Sequence, residues 1–231
     1  MAAKVTDAST APAIDEWDGG VGWIAHPEET MERASHALAT PAGVWLVDPL
    51  SAPGVDDRIA EVGEVAGVVV LSNYHCRDAD AFAARYDVPV TLPAPMTGVA
   101  DRLDATVQRV DVGETLGGYD LFAVAHSPWW QEYGLDDGET LVVGESVGTA
   151  DYLRAGDEDL GVMVLRRLSP PREALSGRDP DRVLTGHGPG LHEDAGEALE
   201  DALSSARRRF PRALVENGGR QLRTVLAAVR S

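Results

Sequence analysis

One cysteine, Cys76, stands in a chain of 231 residues, so no disulfide can close within it. That usage fits a reducing compartment, and a cytoplasmic location is expected. Lysine is almost missing: Lys4 is the single one, and every other basic residue is arginine. No run of about 18 apolar residues occurs, which excludes a transmembrane helix. Met1–Thr10 carries one lysine and no apolar stretch, which is not the pattern of a secretory signal. No Gly-rich loop of the phosphate-binding kind is present, because Gly186-His187-Gly188-Pro189-Gly190 lacks the Lys-Ser/Thr that would follow. Ser146 is not read as an elbow nucleophile.

What the chain has in excess is acid. Asp and Glu number 38 against 20 Lys and Arg, for a formal charge of −18. A surface this negative repels phosphate backbones and anionic lipid, so neither nucleic acid nor membrane is an expected partner. A small molecule or another protein is, with the chain a monomer or a homodimer. The carboxylates are spread along the sequence rather than gathered in a tail, and 44% of residues are hydrophobic, so the chain folds. Dispersed acid with almost no lysine suggests adaptation to high salt, where a Debye length of about 3 Å screens the self-repulsion.

Residues 1–11 are small and polar and are expected to form a flexible arm. Short β segments follow. Ile14–Asp18 and Val21–Ala25 read as a hairpin about Gly19-Gly20, and Arg33–Thr40 with Val44–Val47 as a second. Asp56–Val62 reads as a helix, Val65–Leu71 as a strand covered on both faces, Ala79–Tyr86 as a helix and Val88–Leu92 as a strand. Ala105–Val112 and Tyr119–Ala125 suggest another hairpin. Thr140–Val143 and Arg182–Leu184 are apolar strands. Glu193–Arg209 and Ala213–Val229 have helical spacing and are expected to be separate helices, divided at Pro211. The apolar stripes Ala195, Leu199, Leu203 and Leu214, Leu222, Val225 suit a covered sheet face better than a dimer interface. The expected organisation is one domain over 12–192, with the helices of 193–231 packed on it. Two face-to-face sheets with helices outside accommodate both β-rich stretches.

Five segments place a polar or ionisable group just after an apolar strand: Val47-Asp48, Asn73-Tyr74-His75-Cys76-Arg77-Asp78, His126-Ser127-Pro128, Gly144-Glu145 and Gly186-His187-Gly188. Strand ends of this kind are where α/β folds gather their sites. Their order resembles that of the metallo-β-lactamase superfamily, over roughly residues 20 to 190. That family has a His-x-His-x-Asp-His loop after a strand, an earlier Asp, a middle His, a Gly-Asp and a late Gly-His-Gly. The resemblance implies an α/β fold, a four-layer αββα sandwich, here with a helical C-terminal extension. It matches Asp48 to the early Asp, His75 to the second loop His, His126 to the middle His, Glu145 to the Gly-Asp carboxylate and His187 to the last His.

The departures bear on function. In the two-metal family pattern, His75 and His126 would belong to one ion, and Glu145 and His187 to the other. Asn73 replaces the first loop His, Arg77 the loop Asp, and Asp78 the final His. A guanidinium about 4 Å from a divalent ion costs several kcal/mol at an effective dielectric of 20. Arg77 is therefore expected to stand in for a cation, between Glu145 and Asp78. The reading that follows is a degenerate member with no cofactor, acting as a binding or scaffold protein. One alternative is a hydrolase of an ester, thioester or lactone holding one zinc or other divalent ion on His75, His126, Glu145, His187 and Asp78. The other is a metal-free acid/base enzyme using His126 or His187. Asp48, Asn73, Arg77, Trp129 and Trp130 are expected to line the pocket. Cys76 is read as a small residue filling a tight loop.

Overall fold

Apolar residues alternate along most strands, and the alternation separates two layers of core. A computed structural model describes residues 2–5 and 11–229, with side chains as far as 223. The strands are β1 (Ala13–Trp17), β2 (Gly20–Ile24), β3 (Ala34–Thr40), β4 (Gly43–Val47), β5 (Val65–Val69), β6 (Val90–Pro93), β7 (Val107–Val110), β8 (Thr115–Leu116), β9 (Tyr119–His126), β10 (Gln131–Asp136), β11 (Thr140–Val143), β12 (Val147–Gly148), β13 (Gly161–Val162) and β14 (Arg182–Thr185). The helices are α1 (Val55–Val62), α2 (Ala79–Tyr86), α3 (Thr97–Ala100), α4 (Arg172–Leu175) and α5 (Ala195–Val229).

The first sheet runs β1 to β7 in chain order, antiparallel as far as β4 and parallel from there. The second has the order β14-β11-β10-β9-β8, with β11 and β14 parallel. Leu46 and Val68 of the first sheet share a core with Leu121, Leu135, Val142 and Leu184 of the second. Ile59 of α1 and Phe82 of α2 pack on the same cluster. On β11 the neighbours of Val142, Leu141 and Val143, turn to the other face and meet Leu175 of α4 and Leu199 and Leu203 of α5. The arrangement is the four-layer αββα sandwich. It brings the strand ends at Val47, Leu71, Val143 and Thr185 to one edge.

Three elements differ from the sequence reading. The stretch after Ala105 does not form a hairpin with Tyr119–Ala125. β7 stays in the first sheet, a turn in which Glu114 N–H donates to the Asp111 carbonyl passes the chain across, and β9 turns back on β8 instead. Gly117, at φ 62°, makes that turn. β10 was not anticipated. Pro211 does not divide the tail, because α5 is continuous through it. Packing accounts for this: Ala206 and Ala213 are buried on either side of the proline, and Asn217 and Gln221 hold backbone groups of the 152–164 segment. Leu214 and Leu222 face solvent, while the side chain of Val225 lies outside the described residues.

Of the expected N-terminal arm, Ala2–Val5 lies along Glu28–Arg33. Thr30 and Met31 N–H donate to the carbonyls of Ala2 and Ala3, and Val5 N–H donates to Glu29. Met1 and residues 6–10 lie outside the described residues. Among the described residues no helix is long and apolar enough to cross a membrane.

Candidate functional site

β4 ends at Asp48, which takes a left-handed φ of 46°. A non-glycine residue there is strained, and such strain gathers at sites. The conformation turns the Asp48 carboxylate towards the end of β5, where Oδ1 accepts Leu71 N–H at 2.8 Å and Oδ2 accepts His75 Nδ1–H at 2.7 Å. The tautomer of His75 is set by this acceptor. From the second sheet, His187 follows β14 and donates its Nδ1–H to the Met31 carbonyl at 2.8 Å. Glu145 follows β11.

The three side chains converge. His75 Nε2 lies 3.3 Å from His187 Nε2 and 2.7 Å from Glu145 Oε1, and His187 Nε2 lies 3.4 Å from Glu145 Oε2. They form a buried group with metal-ligand chemistry, 3%, 7% and 0% exposed for His75, Glu145 and His187. Gly186 makes the convergence possible. A Cβ there would lie 2.3 Å from the Gly144 carbonyl and 2.6 Å from His75 Cε1. The first glycine of Gly-His-Gly is thus required by close approach rather than by its own dihedral angles.

The electrostatics are those of a compact charge cluster. Burial and the Arg77 charge disfavour protonation of His75, but Glu145 and Asp48 outweigh them and its pKa is raised. Burial would raise the Glu145 carboxyl, yet the His75 and His187 rings hold it well below the usual range. The 2.7 Å contact is a hydrogen bond between the His75 ring and the Glu145 carboxylate.

The site residues inferred from sequence fall into two groups. Asp48, His75, Glu145 and His187 come together. His126 does not join them: it is exposed at the end of β9, with Nδ1 3.3 Å from the Tyr133 hydroxyl. His75 and His187, which the two-metal pattern separates, are neighbours. Asp78 faces away and accepts Ser51 N–H at 2.8 Å, because its backbone already starts α2.

Arg77, at φ 43°, reaches the cluster but does not lie between Glu145 and Asp78. Its Nη1 donates to the carbonyls of Ala34 and Asp48, and its Nη2 donates to the Gly186 carbonyl at 2.9 Å and lies 3.5 Å from His75 Nε2. Three converging strand-end carbonyls attract the guanidinium more closely than the carboxylates do. Asn73 holds the tryptophan loop: its Oδ1 accepts Gln131 N–H and its Nδ2 donates to the Trp129 carbonyl. Trp129 is 80% exposed. Trp130 packs beside Tyr152, with Arg166 over its ring. Burial pushes the Cys76 thiol pKa up, and the residue packs against the core.

Two features were missed. Glu132 is fully buried and accepts hydrogen bonds from Glu145, Ser146 and Trp130. No motif spacing marks it. Gly144-Glu145-Ser146-Val147-Gly148 does spell Gly-x-Ser-x-Gly. Ser146, however, is buried, donates to Glu132 and leads into strand β12 rather than a helix, so it is not an exposed nucleophile.

Comparison with solved structures decides the fold. DIM-1 metallo-β-lactamase exposed to ceftazidime superposes with a TM-score of 0.59 at 13% identity, covering 87% of this chain and 99% of that one. The chain has the metallo-β-lactamase fold. The metallo-β-lactamase FIM-1 from Pseudomonas aeruginosa, in its mono-zinc form, gives 0.55 at 11% identity over 88% of this chain and 98% of its own. TTHA1623 in a di-iron-bound form gives 0.52 at 19% identity over 70% and 90%. No family model and no curated protein matches the sequence. With identities of 13%, 11% and 19%, the likeness to these structures is one of architecture.

The donor set fits one divalent ion. Both imidazoles have Nδ1 held by an acceptor, which leaves Nε2 directed inward, as metal-binding histidines require. For bonds of about 2.1 Å a tetrahedral ion wants ligand atoms about 3.4 Å apart. The 3.3 and 3.4 Å separations meet this, and the 2.7 Å hydrogen bond would have to open slightly.

Proposed function

We propose that this protein is a metallo-β-lactamase-fold binding protein whose centre is reduced to a closed cluster. That cluster holds at most one divalent ion, on His75, Glu145 and His187, and does not hydrolyse substrate. The observation that carries the reading is the burial of all three donors beneath Arg77. A catalytic ion needs an open position for water and substrate. Here Arg77 stands 3.5 Å from the His75 donor atom, its guanidinium occupied by backbone carbonyls. The Glu28–Arg33 segment, which supplies Met31, is itself backed by Ala2–Val5.

A bound ion would supply Lewis acidity. Around it Asp48 orients His75, Met31 orients His187, and Arg77 keeps positive charge at the rim. A second reading, a single-ion hydrolase, draws on the correctly held imidazoles and on the mono-zinc form of FIM-1. The dispersed acidity, with Lys4 the only lysine, supports adaptation to high salt, and the lone Cys76 supports a cytoplasmic setting.

Turnover separates the two readings. Zinc-loaded protein is assayed in high salt with a β-lactam, a thioester and a lactone. The proposal expects hydrolysis no faster than with free zinc. Turnover that disappears in His187→Ala would establish the hydrolase instead.

A further inference from the structure

Glu132 belongs to none of the five strand-end segments, yet it touches the elements that build the site. Along β10 side chains should alternate between faces, but Glu132 and Tyr133 are both buried. The register between β9 and β10 shifts between these two residues. A bulge of this kind re-aims one side chain, and here it turns Glu132 inward. The Glu132 backbone bridges Ser72, three residues before His75. Oε1 accepts the N–H groups of Glu145 and Ser146 at 2.8 and 2.9 Å. Oε2 accepts the Ser146 hydroxyl at 2.5 Å and the Trp130 indole N–H at 3.2 Å. Gly144 leaves the space between: a Cβ there would lie 3.7 Å from Glu132 Cγ and 3.8 Å from His75 Cε1.

We propose that Glu132 is the positioning residue of the cluster. It fixes the Gly144–Ser146 turn so that the Glu145 carboxylate meets His75 and His187, and it ties that turn to Trp130. The inference rests on the proposed cluster of His75, Glu145 and His187. Four donors on one side chain demand an acceptor at both oxygens, which only a carboxylate provides. A buried turn that loses its acceptor must move to find another.

The test compares three substitutions by zinc-binding calorimetry and by NMR of the metal-free protein. Glu132→Gln keeps an oxygen for the two backbone N–H groups but turns an NH2 towards the Trp130 N–H. Its zinc Kd should stay within about threefold of the unsubstituted protein while the Trp130 indole signal moves. Glu132→Ala should weaken zinc about 10–100-fold. If the alanine variant fails to fold, Glu132→Asp, with its charge kept and its reach shortened, should show the same loss. Zinc affinity within about threefold in the Ala or Asp variant overturns the proposal, and so does an equal loss in Gln. If the unsubstituted protein takes up no zinc, the cluster is metal-free and Glu132 is judged on the imidazole 15N signals of His75 and His187. These should shift in Ala or Asp and hold in Gln; unchanged signals in Ala or Asp overturn the positioning role.

Discussion

At the scale of single residues, the site depends on who holds each imidazole. Asp48 accepts from both Leu71 N–H and His75 Nδ1. Asp48→Asn keeps an oxygen for Leu71 but presents an NH2 to His75, which forces the proton onto Nε2. Zinc affinity should fall about 10–100-fold with the fold intact, as calorimetry and circular dichroism would record. His36 illustrates a different burial. Its Nε2–H donates to the Thr185 carbonyl at 2.9 Å, its Nδ1 has no partner, and burial lowers its pKa from 6.5 to about 4. The unfolded chain therefore binds the proton more readily between these values. Stability is complete above pH 6.5 and falls as the pH drops towards 4, by about 3 kcal/mol from this residue. NMR titration should find the His36 ring neutral at pH 5.5, and a midpoint near 6.5 would contradict this.

At the scale of elements, α5 shows packing overriding propensity. Pro211 removes a backbone donor inside a 35-residue helix. Pro211→Ala should restore it and raise stability by about 1–3 kcal/mol in chemical denaturation. No gain would mean that the helix is broken there in solution. The same element marks a limit of the sequence, since a proline reads as a boundary and the backbone groups of residues 152–164 that Asn217 and Gln221 hold lie far away in the chain. β10 was illegible for a related reason: Gln131–Asp136 alternates poorly because the bulge buries both Glu132 and Tyr133. By contrast the apolar runs of β4, β5 and β11 and the helical spacing of α2 were plain, because each is set by local period. The strand-end order pointed to Asp48, His75, Glu145 and His187. It also pointed to His126, which the geometry leaves exposed, and it gave no sign that His75 and His187 meet.

At the scale of the whole molecule, the charge of −18 is the dominant property. Self-repulsion is screened at high ionic strength, so the melting temperature should be higher in 2 M KCl than in 0.05 M KCl, at salt levels where the Debye length falls below about 5 Å and rises above about 10 Å. An equal or lower value would remove the high-salt reading. The sandwich sets two sheets face to face so that, at one edge, His75 comes from one and Glu145 and His187 from the other. Any ion bound there would join the two halves and stabilise the fold by an amount that grows with the logarithm of the free-ion concentration above its dissociation constant. The most direct measurement of the account is a zinc titration by calorimetry in high salt, run on the unsubstituted protein and on His187→Ala. The account expects saturation at no more than one ion per chain, with any binding abolished by the substitution. Saturation at two ions, or binding that survives the loss of His187, would contradict it.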